Sequence, residues 1–400
     1  MNKKILLLSW SDLYGGAARS CYEIYRSLIQ RNKNIDLFVQ RKISNDVKIK
    51  TYKKNSLNLI LRKYFSLIVY KLRLSKNDYS YNLINSNILK FSEYHKYDII
   101  NLHWVNSETL SLIDISRINK KVVLTLHDMW AFCGSEHYLY ELPKQYFKNG
   151  KNIKLNFFDY RIWKIKKKFW RKKFQIVTPS KWLAKLVKKS HLMSGYPVKI
   201  IPYSVNKDVF KKKKINSLRI KNFNLKKING KIDILFISAG KLFNYRKGFD
   251  ILDRLASQNQ DRYRIIIVGS FSQKDKKRIK SNHVLLDKIN NFKIISKIYN
   301  FSDILALPSR LDNLPNVGLE AHSCGLPAVG FNVGGVPEII SHKKTGYIAK
   351  PFIEKDFIKG IEFTYKYRNK LGLNAEKKSQ KWSPQKISQE YTKLFMKIKN

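Results

Sequence analysis

Short, almost wholly apolar runs recur along this chain, separated by longer stretches in which apolar residues return every three or four positions. The first series reads KILLLSW, then 18 to 31, IDLFVQ, DIINLHW at 98 to 104, VVLTLHD, QIVTPS followed by 180 to 190, and VKIIPYSV. A run that is apolar throughout has no solvated face, so it predicts a strand covered on both sides, and the amphipathic stretches predict the covering helices. After the basic, polar stretch NKDVFKKKKINSLRIKNFNLKKINGK the rhythm restarts. It continues as DILFISAG, a helix near 247 to 260, YRIIIVGS, HVLLD, a helix near 290 to 300, DILALPS, a helix opening near Val317, and PAVGF. Two doubly wound α/β domains are therefore expected, joined by a linker near 203 to 230. In such sheets ligands gather beyond the carboxyl ends of the strands, so two facing sheets predict a cleft between the domains.

Composition agrees with a folded, two-domain protein: 400 residues, 44% hydrophobic and 13% aromatic. Charge adds something the pattern does not contain. Lys and Arg number 79 against 29 Asp and Glu, a formal net charge of +50. A field of that sign favours phosphorylated metabolites, acidic lipid surfaces or nucleic acid, and biased genome composition would give the same excess of lysine. The three cysteines, Cys21, Cys133 and Cys324, form no Cys-x-x-Cys pair. That indicates neither a disulfide framework nor a zinc site, and suits a reducing cytoplasm. The opening MNKKILLLSWSDLYGG turns polar too soon for a signal peptide and reads as a first strand. The longest apolar stretch, LNLILRKYFSLIVYKL, is broken by Arg62 and Lys63, so no membrane crossing is expected.

Candidate chemistry sits where predicted strands end. Gly15 and Gly16 precede a helix, where backbone N–H groups can approach an anion without side-chain obstruction; an ordinary tight turn has the same sequence. Lys241 and Lys247 flank a short loop after DILFISAG, and two ammonium groups there can neutralise a diphosphate. His127 ends an apolar strand, as either a structural or a cleft-facing imidazole. In SRLDNLPNVGLEAHSCGLPAVGFNVGGVPEII the acids Asp312 and Glu320 stand eight residues apart around a helix start at Asn316, Val317 and Gly318. A helix N-terminus attracts phosphate while carboxylates accept hydrogen bonds from hydroxyls. Taken singly, Asp312 also reads as a loop or cap residue and Glu320 as helix surface. With no His-Glu-x-x-His and no Asp-x-Asp, a metal site is unsupported.

These segments resemble the glycosyltransferases of family 4, of the GT-B fold class with two Rossmann-like domains. GGAARS, LHDMWAF, VTPSKWL, IPYSVNKDVF, RKGFDIL and LDNLPNVGLEAHSCGLPAVGFNVGGVPEII follow in family order across nearly the whole chain. The resemblance implies an acceptor-binding domain at 1–205, a nucleotide-sugar-binding domain at 206–380 and a closing helix at 381–400 that returns to the first domain. It also implies retaining transfer from a nucleoside diphosphate sugar to a glycan or polyprenyl-linked acceptor in cell-surface polysaccharide or lipopolysaccharide assembly. No cofactor or metal is then expected. Residue by residue, Gly15 and Gly16 correspond to the loop beside donor phosphate and acceptor, and His127 to a histidine near the transferred sugar. Lys241, where the family often has Arg, and Lys247 correspond to the residues on the donor diphosphate, and Glu320 to the acid on the ribose. Asp312 stands where the family has Glu, a shorter side chain that bears on the donor sugar accepted. If the chemistry used an opposite-face base, Asp12 or His127 would be its position.

Residues 144 to 173 hold twelve Lys or Arg interleaved with Phe157, Phe158, Trp163, Phe169 and Trp170. At helical spacing Phe158, Ile162, Ile165 and Phe169 share a face. With Lys166, Lys167 and Lys168 as its basic flank, the segment suits an anionic membrane surface or a helix packed on its own domain. The protein is therefore expected on the inner face of the cytoplasmic membrane. Two other readings stand beside this one: a sugar-nucleotide epimerase of the same fold, and a basic nucleic-acid-binding protein, for which no recognised motif is present.

Overall fold

The computed structural model describes residues 3–32, 34–51, 60, 61, 64, 68, 79–86, 92–170, 174–220 and 223–398. The stretch LNLILRKYFSLIVYKL thus lies largely outside the described residues. The chain divides into two compact units, Met1–Pro202 with Ile387–Asn400, and Tyr203–Lys386.

The first unit is built on a seven-stranded, wholly parallel sheet in the order β3-β2-β1-β4-β5-β6-β7. Its strands are β1 Ile5–Ser11, β2 Ile35–Arg41, β3 Lys50–Thr51, β4 Ile99–His103, β5 Lys121–Thr125, β6 Gln175–Thr178 and β7 Val198–Ile200. Ile5, Leu6, Leu7 and Leu8 are all fully buried, which is why the central strand is apolar on both faces. Helices Gly16–Ile29 and Lys181–Lys189 are among those that supply the cover. The closing segment belongs to this unit, with Ile387, Tyr391 and Phe395 buried and Glu390 paired to Lys199 at 3.0 Å.

The second unit opens with an antiparallel hairpin, β8 Ser217–Ile220 and β9 Phe223–Lys226. This corrects the expectation of a plain linker near 203 to 230. Leu218, Ile220 and Leu225 are buried on one face of the hairpin, a period-two signal hidden in sequence by the lysines around it. A parallel sheet follows in the order β12-β11-β10-β13-β14-β15. Its strands are β10 Ile232–Lys241, β11 Tyr263–Ser270, β12 His283–Leu286, β13 Ile304–Leu307, β14 Ala328–Phe331 and β15 Gly346–Ala349.

Counted within each unit, the six strands common to both follow the order 3-2-1-4-5-6, the Rossmann arrangement. The direction of winding reverses between β1 and β4 in the first unit and between β10 and β13 in the second. Loops diverge at those points and leave room for a ligand.

Candidate functional site

In the second unit, the loops leaving β10 and β13 are locked together. Gly248 has φ +68, and a Cβ there would meet the Pro308 carbonyl oxygen at 1.9 Å, so only glycine lets these backbones approach. Arg310 closes the contact, its guanidinium forking onto Asp250 at 2.8 and 2.6 Å and lying 4.1 Å from the Tyr245 ring.

This arrangement brings together two residues singled out in the sequence, Lys247 and Asp312. The Lys247 ammonium donates to Asp312 Oδ2 at 2.6 Å, and Arg246, which sequence reasoning did not single out, reaches Asp312 Oδ1 at 3.2 Å. Burial alone would push the Asp312 carboxyl upward, but Lys247 and Arg246 outweigh it and hold the group below the ordinary carboxylate range. Burial pulls Lys247 down, against the opposing pull of Asp312. The backbone of Asp312 is fixed too: Gly335 N–H donates to its carbonyl at 2.9 Å, and a Cβ on Gly334 (φ +54) would strike that oxygen at 1.9 Å. Lys241 ends β10 as an exposed residue.

The helix Asn316–Ser323 begins immediately beyond this cluster, and no side chain caps its first turn. Its N-terminal N–H groups and dipole carry positive potential. Gly318 packs where a Cβ would lie 3.1 to 3.2 Å from Ile339 and Leu307, so the glycine sets how closely the helix sits on β13. Glu320 is 6% exposed and accepts from the Tyr299 hydroxyl at 2.8 Å, which excludes its reading as solvated helix surface.

In the first unit, Gly15 has φ +86 and precedes Gly16, the first residue of an uncapped helix. Asp12 is completely buried, and its carboxylate accepts from the N–H groups of Leu13, Ile43 and Ser44 at 2.8 to 2.9 Å. It clamps the loop after β1 to the loop after β2, which corrects its candidacy as a catalytic base. His127 is also buried, with Nε2 3.2 Å from Nδ1 of His103, at the end of the neighbouring strand. Burial pushes the His127 imidazole down to about 4, opposed by Asp128, and pushes His103 well below its ordinary value. Arg246 opens RKGFDIL and His103 lies in DIINLHW; the signal that could have found them is a polar residue where an apolar run or its following loop ends.

The sign of the histidine shifts gives a test. His127 is held at about 4 and His103 well below its ordinary value, so neither ring gains charge near pH 6.5. If the protein transfers sugar as the resemblance implies, its pH–rate profile should show no inflection near 6.5 that His127→Gln or His103→Gln removes; one that vanished in either variant would contradict this environment.

The basic helix Phe157–Phe169 departs from expectation. Asp159, Ile162, Trp163 and Lys166 face inward, while Phe157 and Phe158 are 64% and 59% exposed. Lys166 is fully buried, its ammonium donating to the carbonyls of Trp130, Cys133 and Gly134 and lying 3.9 Å from the Trp130 ring centre. It is therefore not part of a solvated basic flank. Three carbonyl acceptors beside an indole face offset part of the hydration that burial takes from the ammonium. Lys167 and Lys168 remain exposed.

Among the described residues, no group of three or more His, Cys, Asp or Glu side chains is placed to hold a metal ion, and no helix is long and apolar enough to cross a membrane.

Two wound units, each with polar residues at its switch point, suit a nucleotide-dependent transferase, and comparison with known proteins supplies the family. The family pattern described as Glycosyltransferase Family 4 matches residues 14–209, and that described as Glycosyl transferases group 1 matches residues 219–382. The chain belongs to the glycosyltransferases of family 4, with the GT-B fold.

An uncharacterized glycosyltransferase of Haemophilus influenzae is 33% identical over 135 residues, which is 32% of this chain and only 38% of that protein. An uncharacterized 41.2 kDa protein in the cps region of Klebsiella pneumoniae is 25% identical over 281 residues, 69% of this chain and 72% of that one. Among solved structures, HepE of Anabaena in complex with UDP and glucose matches with a TM-score of 0.65 at 15% identity, covering 99% of this chain and 100% of that one. WaaG, a glycosyltransferase involved in lipopolysaccharide biosynthesis, matches at 0.61 and 14%, covering 98% and 100%. At these identities the structural likeness is one of fold.

Proposed function

We propose that this glycosyltransferase moves a sugar from a nucleoside diphosphate donor to a glycan or polyprenyl-linked acceptor in cell-surface polysaccharide or lipopolysaccharide assembly, with retention of configuration. The observation that carries the reading is the Arg246–Lys247–Asp312 cluster beside an uncapped helix N-terminus, at the switch point of the second unit. Lys247, with Lys241 and the amide groups at Asn316, Val317 and Gly318, holds the donor diphosphate, while Glu320 holds the ribose and Asp312 a hydroxyl of the sugar. As the glycosidic bond breaks, negative charge grows on the leaving phosphate, where fixed cations and N–H dipoles act most strongly. The acceptor oxygen attacks on the face the diphosphate leaves, and its proton passes to a phosphate oxygen, so no separate base is required. Gly15, Gly16 and His127 serve the donor phosphate and transferred sugar from the acceptor-binding domain, 1–205. Residues 206–380 bind the donor, and 381–400 close the first domain. The relative in the cps region supports a cell-surface glycan as product.

The test is a screen of nucleotide sugars for thermal stabilisation and for transfer to saccharide acceptors, with the product's anomeric configuration read by NMR. Retention and activity that persists in EDTA are expected. An inverted product would refute the single-face mechanism, and activity lost in EDTA but restored by a divalent ion would refute fixed protein cations as the only charge on the leaving group.

The exposed Phe157 and Phe158, 5.7 Å apart, with Arg161 5.2 Å from the Phe157 ring centre and Lys164, Lys167 and Lys168 on the same helix, support peripheral binding to anionic membranes. Vesicles rich in anionic lipid should bind the protein and release it in salt, since exposed charges are screened beyond about 10 Å at 0.1 M. Charge reversal of Lys164, Lys167 and Lys168 should weaken binding, and equal binding to neutral vesicles would count against the electrostatic account.

A further inference from the structure

The switch point of the first unit carries an aromatic cluster that the transferase reading leaves without a role. Trp10 lies near the carboxyl end of β1, and Trp104 follows β4 directly, so the two indoles flank the place where the loops diverge. Their ring centres are 5.7 Å apart with planes at 68°, and Tyr14 stands edge-on to Trp10 at 5.4 Å. All three side chains are partly exposed, Tyr14 by 46%. The Arg41 guanidinium, from the end of β2, lies 4.9 Å from the Tyr14 ring centre and 5.8 Å from that of Trp10.

Trp104 is held with unusual care for a partly solvated residue. Its backbone has φ +29, a left-handed conformation that costs a bulky residue free energy and persists only where its surroundings impose it. Its indole N–H donates to Asp128 Oδ2 at 3.0 Å, and its ring stacks on His137 with centres 5.6 Å apart. Asp128 and His137 are themselves fixed, by a 2.6 Å contact between them and by Ser80 Oγ 2.9 Å from His137 Nε2, all buried. The whole network presents one aromatic face at a fixed angle, one residue from His103, which touches His127.

We propose that Trp10, Tyr14 and Trp104 form the acceptor subsite, a platform on which a pyranose ring of the acceptor stacks by its apolar C–H face. The inference rests on the transferase reading. A rigid aromatic wall suits this task because it offers a large apolar area with few rotatable bonds, while the sugar's hydroxyls stay free for polar groups at the rim. Asp128 and His137 are positioning residues that set the angle of Trp104.

The test uses the full-length protein on an array of immobilised oligosaccharides with glucose, galactose, mannose, rhamnose or N-acetylglucosamine termini. Wild type should bind at least one class of terminus, Trp10→Ala should lose about tenfold or more of that binding, and Trp10→Phe should retain most of it. Tyr14→Ala, at a more exposed position, should give an intermediate loss and serves if Trp10→Ala does not fold. Wild type that ignores every terminus, or alanine variants that bind as wild type does, would overturn the proposal. Thermal stabilisation of wild type by nucleotide sugars, measured in parallel, keeps the two readings apart. A nucleotide shift without saccharide binding sinks the platform alone, and saccharide binding without a nucleotide shift sinks the donor assignment alone.

Discussion

Lys247→Ala should lower transfer by about a hundredfold or more while the protein remains folded. The ammonium is held in a fixed place by Asp312 at 2.6 Å, so it need not be reorganised as charge builds on the leaving diphosphate. Its removal takes away that cation and also leaves Arg246, at 3.2 Å, as the charged partner of Asp312 among the described residues. Lys247→Arg should recover only part of the rate, because a planar fork cannot occupy the site of a compact ammonium. Nucleotide-induced thermal stabilisation should fall along with the rate, since the same group holds the ground-state diphosphate. A folded Lys247→Ala enzyme with unchanged kinetics would remove the residue from the site. One that lost rate but kept all its nucleotide affinity would place the charge on the transition state only.

What the chain revealed in advance, and what it did not, follows the range of the interactions. The strands were legible because runs such as KILLLSW and YRIIIVGS are buried on both faces, a local property that needs no knowledge of their neighbours. The two-domain α/β class followed from the restart of that rhythm, and the family from motifs in order. The Lys247–Asp312 contact was not legible from spacing, since it joins residues 65 apart through the pairing of β10 with β13 and the glycine fit at Gly248. Arg246 went unnoticed because it is one of 79 basic residues and only its partner distinguishes it. The contacts of Asp12 and His127 likewise come from residues distant in sequence: the backbone of Ile43 and Ser44 in the loop after β2 for the first, His103 at the end of β4 for the second. The strands β8 and β9 and the inward turn of Lys166 share one cause. In so basic a chain, lysine loses its usual value as a marker of surface.

Lys166 therefore carries the largest expected effect on stability. Lys166→Glu should leave the protein unfolded or melting far below wild type, a loss of about 3 to 5 kcal/mol, because it sets a carboxylate against three carbonyl oxygens with no donor to meet it. Lys167→Glu and Lys168→Glu, at exposed positions of the same helix, should stay within about 0.5 kcal/mol of wild type. The pH dependence supplies a second measurement. Burial pushes the Lys166 ammonium down to about 7, against an ordinary value of 10.5, with Cys133, Asp159 and Asp128 opposing the shift. Between those values the unfolded chain binds the proton that the folded one sheds, so this group's contribution to stability is fully present above about 10.5 and is lost as pH falls to about 7. Lys166→Met has no proton to exchange. The stability difference between wild type and Lys166→Met, followed by denaturant unfolding from pH 7 to 10, should accordingly move in favour of wild type as pH rises. A difference that stayed flat across that window would show that the three carbonyls stabilise the ammonium well enough to keep it charged throughout, and a Lys166→Glu protein melting within a few degrees of wild type would show that the side chain is not buried at all.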